Sequence, residues 1–162
     1  MKKITAIILI AFLLGCMSNT SETSKTIETE KIVNTLKPQV AIDFFNAYIA
    51  NCNKYENAID IIEWTKASTY ATSSFKKELE TLVEQAWKED PELGLGYDPI
   101  LYAQDYPDEG VELLDFNSET GYLTVKGIKW ESFQVSMKVL NENGKTLVDG
   151  CGAINMSKEL TR

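Results

Sequence analysis

The sequence contains no histidine, and this absence excludes several common enzyme designs. Ser-His-Asp and Cys-His catalytic groups need an imidazole to move a proton, and no residue here provides one. Imidazole metal ligands are excluded for the same reason. Only three cysteines are present, and Cys16 lies at the end of an N-terminal apolar segment. The other two are too few for a closed zinc site of thiolates, so most common hydrolase and metalloenzyme designs are excluded.

Basic residues are scarce relative to acidic ones. Sixteen lysines and arginines stand against 24 aspartates and glutamates, which gives a formal net charge of −8 at pH 7. Nucleic-acid binding depends on Lys and Arg that neutralise phosphates, so this balance argues against nucleic acid as a partner. It also disfavours electrostatic adhesion to anionic lipid. A basic partner or a neutral ligand fits the charge better.

The N-terminal apolar run is too short to span a bilayer as a helix. Residues 4–14 follow two lysines and lead into Gly15 and Cys16. A basic start, a short apolar run and a small residue before a cysteine are typical of a bacterial lipoprotein signal peptide. The sequence therefore predicts that residues 1–15 are removed and that Cys16 is lipidated. The alternative is an ordinary secretory signal in which Cys16 is a stray exposed thiol.

Cleavage would leave 147 of the 162 residues, enough for one domain with a hydrophobic core, and a net charge of about −10. Residues 16–37, rich in Ser, Thr, Glu and Lys, are interpreted as the lipidated cysteine and a flexible tether, and residues 38–158 as the domain. Membrane contact would then run through the lipid at Cys16. The lipoprotein resemblance implies an outer-membrane address facing the periplasm in a Gram-negative host, because Met17 rather than aspartate follows the cysteine.

Cys52 and Cys151 are the two cysteines left in an exported, oxidising setting, and we predict a disulfide between them. It would close a loop of about a hundred residues, for which chain entropy allows roughly 4–5 kcal/mol before strain. Gly150 and Gly152 flank Cys151 and indicate a bulge or a close approach of two backbones. The alternative is two buried free thiols that act as small apolar side chains.

Helical periodicity predicts three helices in the first half of the domain. The first spans residues 39–52, and its apolar face includes Tyr48, whose hydroxyl needs water or a hydrogen-bond partner. A shorter helix follows around residues 58–64. The third has Ser74 as its N-cap and ends before Pro91. Its apolar stripe consists of Phe75, Leu79, Leu82, Val83, Ala86 and Trp87.

The second half changes to a period of two, which indicates strands. Residues 100–104 are predicted as a short strand and residues 111–116 as a second one. A turn at residues 117–121 leads into a third strand at 122–128. Residues 133–139 alternate strictly between apolar and polar side chains, which is typical of a half-buried strand. A hairpin turn at residues 141–144 leads into the last strand, at residues 146–156.

Helices followed by an antiparallel meander define an α+β domain, with about three N-terminal helices packed on one face of a sheet of about four to five strands. A strongly curved sheet of this kind forms a cone that the helices close, frequently with a pocket inside. Such an architecture would resemble the nuclear-transport-factor-like, or cystatin-like, α+β fold.

Three short sequences resemble a known family. DPIL at residues 98–101, AQDYP at 103–107 and DGCGAIN at 149–155 are similar to segments of small bacterial envelope proteins of unknown function, the YbjP-like lipoproteins. The resemblance covers about residues 39–157. It implies the nuclear-transport-factor-like fold and an envelope address, and it brings no established activity. One departure is Leu147, which stands near the position where the family's last strand has a tryptophan.

Polar residues in and after the first of these segments are the candidate ligand-binding site. Asp98, Gln104 and Asp105 would lie at the mouth of the cone and orient a ligand, with Tyr102 beside them. The simpler interpretation is local: Asp98 sets a turn, and the other two side chains bond nearby backbone N–H groups. Trp130 lies where two strands meet, and an exposed tryptophan there would mark an interaction site.

Two further kinds of site compete with simpler interpretations. The carboxylates of residues 89–115 offer oxygen ligands for calcium, but their spacing does not match an EF-hand loop, so a solvated acidic loop is the simpler interpretation. The same superfamily includes isomerases and dehydratases that pair a carboxylate with a tyrosine in an apolar cavity. Asp98, Asp105, Tyr102 and Tyr122 are the residues that such a pair would use here, on fold analogy alone.

These observations predict a lipid-anchored, periplasm-facing binding or interaction module, with no catalytic role and no cofactor. Its partner would be a protein or a small apolar ligand. One alternative is a protein inhibitor of immunity type that blocks a secreted toxin, because an acidic surface suits a basic enzyme. The other is a small pocket enzyme.

Overall fold

A computed structural model describes residues 35–157. Cys16, the signal peptide and most of the predicted tether lie outside these residues. The described part contains three α-helices followed by a four-stranded antiparallel sheet. The predicted α+β class is therefore confirmed. Within residues 35–157, no helix is both long and apolar enough to cross a membrane.

The first two helices follow the apolar pattern of the sequence. The first, α1, covers Gln39–Cys52, the bounds that its periodicity predicts. A single 3-10 turn, Tyr55–Asn57, connects it to α2, which covers Ile61–Ala67. Asp60 is the N-cap of α2, and its Oδ1 accepts the N–H of Ile62 at 2.9 Å.

The third helix, α3, covers Ser73–Glu89, and its N-cap is Thr72 instead of the predicted Ser74. Oγ1 of Thr72 accepts the N–H of Phe75 at 3.0 Å. The backbone N–H of Thr72 also donates to the carbonyl of Val148, 2.9 Å away and 76 positions along the chain. This long-range bond fixes where the helix begins, and helical periodicity cannot indicate it.

Four strands lie side by side in chain order: β1 (Val111–Phe116), β2 (Tyr122–Gly127), β3 (Trp130–Glu142) and β4 (Lys145–Cys151). Each pairs antiparallel with the next. The predicted alternation in β3 is confirmed, because Phe133, Val135, Met137 and Val139 are all buried.

The strand predicted at residues 100–104 is wrong. Oδ1 of Asp98 accepts the N–H groups of Ile100 and Leu101, at 2.8 and 2.9 Å. The carbonyl of Asp98 accepts the N–H of Tyr102 at 2.8 Å. These local bonds occupy the backbone donors that a sheet would need, so the segment forms successive turns.

The last strand is also shorter than predicted, because the chain folds back on itself after Cys151. The N–H of Cys151 donates to the carbonyl of Ile154, and the N–H of Ile154 donates to the carbonyl of Cys151, at 3.0 and 2.9 Å. Gly152 allows this turn with a φ of +57°. The predicted close approach of two backbones is confirmed here, since a Cβ at Gly152 would lie 2.7 Å from the carbonyl oxygen of Ile100.

Aromatic rings connect the helices to each other and to the sheet. The rings of Phe44 and Phe75 lie edge to face with their centroids 5.5 Å apart, which joins α1 to α3. The Phe45 ring of α1 lies 6.3 Å from that of Phe133 in β3. Phe44, Phe45 and Phe75 have no solvent exposure. These rings form the centre of the hydrophobic core.

Candidate functional site

A hydrogen-bonded pair, Tyr48 and Asp98, links α1 to the loop that follows α3. The hydroxyl of Tyr48 donates to Oδ2 of Asp98, while Oδ1 accepts the N–H groups of Ile100 and Leu101. The Tyr48 ring is 3% exposed and packs 4.9 Å from the ring of Trp64. The predicted need of Tyr48 for a hydrogen-bond partner is therefore confirmed, and both oxygens of Asp98 are occupied.

Burial sets the protonation of this pair. It raises the pKa of Asp98, and the hydrogen bonds from Tyr48 and the two backbone N–H groups partly oppose that rise. Burial, followed by the negative charge of Asp98, raises the pKa of Tyr48 well above its usual range. The phenol therefore keeps its proton and acts as the donor, and the carboxyl group acts as the acceptor.

Both remaining cysteines lie close to this pair, and both are free thiols. Burial and then the charge of Asp98 raise the pKa of Cys52 to about 11, and a hydrogen bond with Tyr48 opposes the rise. Sγ of Cys151 is buried and lies 3.4 Å from the carbonyl oxygen of Ile100. No bond joins the two sulfurs in the structure, and each has its own polar neighbour: the Tyr48 hydroxyl for Cys52 and this carbonyl for Cys151.

A surface groove of about 260 Å³ lies between α3 and the loop that carries Asp98. We call it the Trp87 groove. Asp98 contributes its polar part, and the other side chains are mainly apolar. The lining residues are Ile61, Val83, Trp87, Leu93, Leu95, Gly96, Tyr97, Asp98 and Pro99.

Three large side chains of the Trp87 groove are exposed to solvent. Trp87 is 52% exposed, Leu93 64% and Tyr97 36%. Trp87 follows the buried Val83 by one helical turn, so the sequence places it in the apolar stripe of the core. That placement is wrong, because the last turn of α3 extends past the core. The Trp87 ring instead packs against Gly94, where an added Cβ would lie 3.1 Å from it.

The loop wall of the Trp87 groove belongs to a chain segment with charge of a single sign, although Lys88 lies next to Trp87 on α3. Residues 89–125 include ten aspartates and glutamates and no lysine or arginine. Asp90 helps to shape the loop, since its Oδ1 accepts the N–H groups of Glu92 and Leu93, both at 3.1 Å. Between residues 35 and 157, no three acidic or cysteine side chains converge closely enough to hold a metal ion.

A second depression, of about 310 Å³, lies between the loop and the β2–β3 part of the sheet. We call it the Tyr102 cleft. Its lining is polar and uncharged, in contrast to that of the Trp87 groove. It is formed mainly by Tyr102, Thr124, Ser132, Gln134, Ser136 and Gly152.

The predicted ligand residues do not gather at one mouth. Asp98 lines the Trp87 groove, and Tyr102 lines the Tyr102 cleft. Trp130 is 39% exposed and lies beside the cleft, because its Nε1–H donates to Oγ of Ser132 at 3.0 Å. The sequence predicts these five residues as one site, but in the structure they divide between two depressions and a turn.

Gln104 and Asp105 have local roles. Nε2 of Gln104 donates to the carbonyl of Gly96 at 2.8 Å and so holds one wall of the Trp87 groove. Oδ1 of Asp105 accepts the N–H of the adjacent Tyr106 at 2.8 Å. The local interpretation is confirmed for Asp98 and Asp105. The Gln104 side chain also bonds to nearby backbone, as the local interpretation predicts, but its partner is a carbonyl and not an N–H group.

Sequence reasoning missed the exposed residues Trp87, Leu93 and Tyr97 as a site, and it missed Tyr48 as the partner of Asp98. The position of Leu93 in the sequence could have indicated that it belongs to a binding site. It lies in an acidic loop, next to Gly94, where solvent-exposed segments usually lack large apolar residues. No local pattern indicates that Tyr48 meets Asp98, because the two are fifty residues apart.

Comparison of the chain with protein-family models, curated proteins and solved structures gives no match. The resemblance of residues 98–107 and 149–155 to YbjP-like lipoproteins therefore stays a prediction. The structure does place these two segments in contact: the N–H of Ala153 donates to the carbonyl of Pro99 at 2.9 Å.

Proposed function

We propose that this protein is a lipid-anchored, non-catalytic interaction module of the bacterial cell envelope, which binds a partner protein in the Trp87 groove. The observation that carries the proposal is the joint exposure of Trp87, Leu93 and Tyr97 in one groove. Contiguous exposed apolar side chains are typical of interaction sites. Tryptophan and tyrosine are also enriched among the residues that dominate binding energy at protein interfaces.

The charge of the chain segment that carries the loop wall of the groove indicates the kind of partner. Ten acidic residues without a single basic one in residues 89–125 favour a basic segment and repel an acidic one. The apolar floor favours leucine-like or aromatic side chains in that segment. We therefore propose a partner segment that combines Lys or Arg with large apolar residues.

The state of Asp98 supports a non-catalytic role. A general base must offer a free lone pair to the substrate. In Asp98, three of the four acceptor positions of the carboxylate are taken: Oδ2 accepts the Tyr48 hydroxyl and Oδ1 accepts two backbone N–H groups. These bonds are those of a structural link between α1 and the loop, and they favour binding over the small-enzyme alternative.

Anchoring and the cone-shaped fold belong to the same proposal. The N-terminal sequence through Cys16 supports attachment to the membrane, with the domain facing the periplasm. Contacts of α1 with the sheet support helices packed on a curved sheet, since Asn46 Nδ2 donates to the carbonyl of Val111 at 3.1 Å.

The membrane anchor can be tested by substitution of cysteines. Cys16→Ser should release the protein from membranes, and Cys52→Ser should leave it attached. Membrane association of Cys16→Ser would contradict the anchor.

An immunity-type inhibitor of a secreted toxin is a specific form of this function. The acidic residues of segment 89–125 favour an inhibitor of this type, because an acidic surface speeds association with a basic enzyme. The bound inhibitor would then block the enzyme. Both forms use the same groove.

The groove can be tested with a dye-labelled peptide of about 12 residues that alternates leucine and lysine, followed by fluorescence anisotropy. We expect saturable binding, and we expect Trp87→Ala and Leu93→Ser each to raise Kd by about tenfold or more, as for a buried anchor residue. The matched control is Tyr55→Ala, which removes another exposed aromatic ring, 77% exposed, outside the groove. It should leave Kd unchanged.

Two further controls separate groove binding from general attraction to an acidic protein. A peptide with glutamate in place of lysine should not bind. Salt should weaken binding of the lysine peptide equally for the wild type and Tyr55→Ala. If Trp87→Ala and Leu93→Ser bind the lysine peptide as tightly as the wild type does, the Trp87 groove is not the site.

A further inference from the structure

We infer that the Tyr102 cleft binds a neutral saccharide, at a site separate from the Trp87 groove. The cleft is lined by hydroxyl and amide side chains together with the aromatic ring of Tyr102. Its volume of about 310 Å³ is at the low end of small-molecule pockets, which range from about 300 to 1,000 Å³. A ring sugar has hydroxyl groups that need donors and acceptors, and an apolar C–H face that stacks on an aromatic ring.

The polar groups of the cleft are available to a ligand. Four side-chain atoms of the cleft make no hydrogen bond within the described part of the chain. They are the hydroxyls of Tyr102, Thr124 and Ser136 and Oε1 of Gln134. Nε2 of Gln134 donates to the carbonyl of Glu131 at 3.3 Å, so the amide orientation is set and Oε1 is left to accept. Hydroxyl groups can donate and accept, as a sugar requires.

The sheet holds two of these hydroxyls in fixed positions. Thr124 on β2 and Ser136 on β3 are directly opposite in the antiparallel register. Side chains at such paired positions are about 5 Å apart at Cβ and point to the same face. The N–H of Gly152 donates to the carbonyl of Ser136 at 3.2 Å and fixes the adjoining wall. A site built on strands is pre-organised, so little ordering is needed on binding.

The aromatic part of the cleft is the ring of Tyr102, and the backbone conformation of Tyr102 keeps this ring exposed. Tyr102 has a φ of +55°, a conformation that is uncommon for a bulky residue. Its ring is 42% exposed and meets the Tyr97 ring edge to face, with centroids 5.7 Å apart. Trp130, also exposed, lies next to Ser132 at the rim. The strained backbone presents a ring to the cleft instead of burying it.

The charges around the cleft disfavour an anionic ligand. Lys126 lies beyond one end of the Thr124–Ser136 pair, and its Nζ is 3.3 Å from a carboxylate oxygen of Glu112 and 3.6 Å from one of Glu131. Lys138 lies beyond the other end and is 3.8 Å from Asp149. Both lysines are neutralised by carboxylates, and neither lines the cleft. An anionic ligand would find no free cation there.

The test is titration of the full-length protein with three neutral trisaccharides: maltotriose, cellotriose and tri-N-acetylchitotriose. Binding is followed by NMR chemical shifts of the Gln134 side-chain amide and the Gly152 backbone amide. We expect at least one sugar to shift both signals in a saturable way. Tyr102→Asn should raise its Kd by about tenfold or more, as for an aromatic anchor, and asparagine tolerates the left-handed backbone.

Matched variants keep the result interpretable. Tyr55→Asn replaces another exposed tyrosine at positive φ, +50°, away from the cleft, and should leave Kd unchanged. Thr124→Val and Ser136→Ala delete one hydroxyl each and should weaken binding without unfolding the sheet. Trp87→Ala should have no effect, so this result is independent of the protein-binding proposal. Absence of shifts with all three sugars at roughly 10 mM, or an unchanged Kd in Tyr102→Asn, would overturn the inference.

Discussion

The hydroxyl of Tyr48 donates a hydrogen bond to Oδ2 of Asp98, across fifty residues of chain. Tyr48 belongs to α1, and Asp98 belongs to the loop that forms one wall of the Trp87 groove. Because Oδ1 of Asp98 also holds two backbone N–H groups, the carboxylate fixes both the fold of the loop and its attachment to the helix. The groove therefore depends on a buried polar contact beneath it.

Removal of the Tyr48 hydroxyl should destabilise the fold measurably. Tyr48→Phe keeps the ring against Trp64 but leaves Oδ2 of Asp98 without its donor, so we expect a loss of about 1–3 kcal/mol in the free energy of unfolding. Urea denaturation measures the loss. The control is Tyr122→Phe, which removes a hydroxyl without a hydrogen-bond partner in residues 35–157 and should change stability by less than about 0.5 kcal/mol. Equal stabilities of the two variants would contradict a stabilising bond.

Asp98 should make stability depend on pH in a defined direction. Burial raises the pKa of Asp98 in the folded protein above its ordinary value of 3.8, so the folded protein binds this proton more tightly than the unfolded chain does. The contribution of the carboxyl group is therefore full below about pH 4 and decreases as pH rises through the folded pKa. The unfolding free energy of the wild type minus that of Asp98→Asn should fall between about pH 3 and pH 7. A difference that rises with pH would show that the folded pKa is lowered.

Gly152 should be much harder to replace than Gly144. In Gly152→Ala the new Cβ would lie 2.7 Å from the carbonyl oxygen of Ile100 and closer still to that of Pro99, and φ is +57°. We expect a loss of roughly 3 kcal/mol or more, because the backbone must shift. Gly144→Ala is the control: its φ is +80°, but nothing lies within 4 Å of the new Cβ. It should lose only about 1–2 kcal/mol. Thermal or urea unfolding of both variants decides the comparison.

The two cysteines should titrate as free thiols once the protein is unfolded. In guanidinium without reductant, we expect Cys52 and Cys151 to react with a disulfide reagent, and we expect Cys52→Ser to lose one of the two thiols. In the folded protein, reaction at pH 8 should be slow, because burial raises the pKa of Cys52 to about 11 and Cys151 is buried. The native rate at Cys52 should rise roughly tenfold per pH unit below that pKa. Two thiols that stay unreactive after unfolding would mean that a disulfide had formed.

Segments whose structure depends on their own residues could be predicted well. The bounds of α1, Gln39–Cys52, and of β1, Val111–Phe116, agree with the periodicity of apolar residues. Alternation placed the buried side of β3 correctly. The glycines around Cys151 indicated a close approach of backbones, which Gly152 makes with Ile100.

Segments that depend on distant residues were predicted poorly. Residues 100–104 are an exception, because the cause there is local: they have the composition of a strand, but the carboxylate of Asp98 accepts the N–H groups of Ile100 and Leu101 and turns the chain. The N-cap of α3 is Thr72 and not the predicted Ser74, because the backbone of Thr72 bonds to Val148. Trp87 follows the apolar stripe of its helix, yet it is exposed, because periodicity cannot indicate where the core ends.

The sequence by itself determined the class of fold, the order of helices and strands, the acidic character of residues 89–125 and the exclusion of histidine chemistry. Local forces suffice for these properties, since backbone propensity, apolar spacing and charge are carried by neighbouring residues. Only the tertiary structure decided that Tyr48 meets Asp98 and that Tyr102 and Ser136 share a cleft. Such contacts arise because burial of the whole core brings distant segments together, and their geometry depends on the packing of all elements at once.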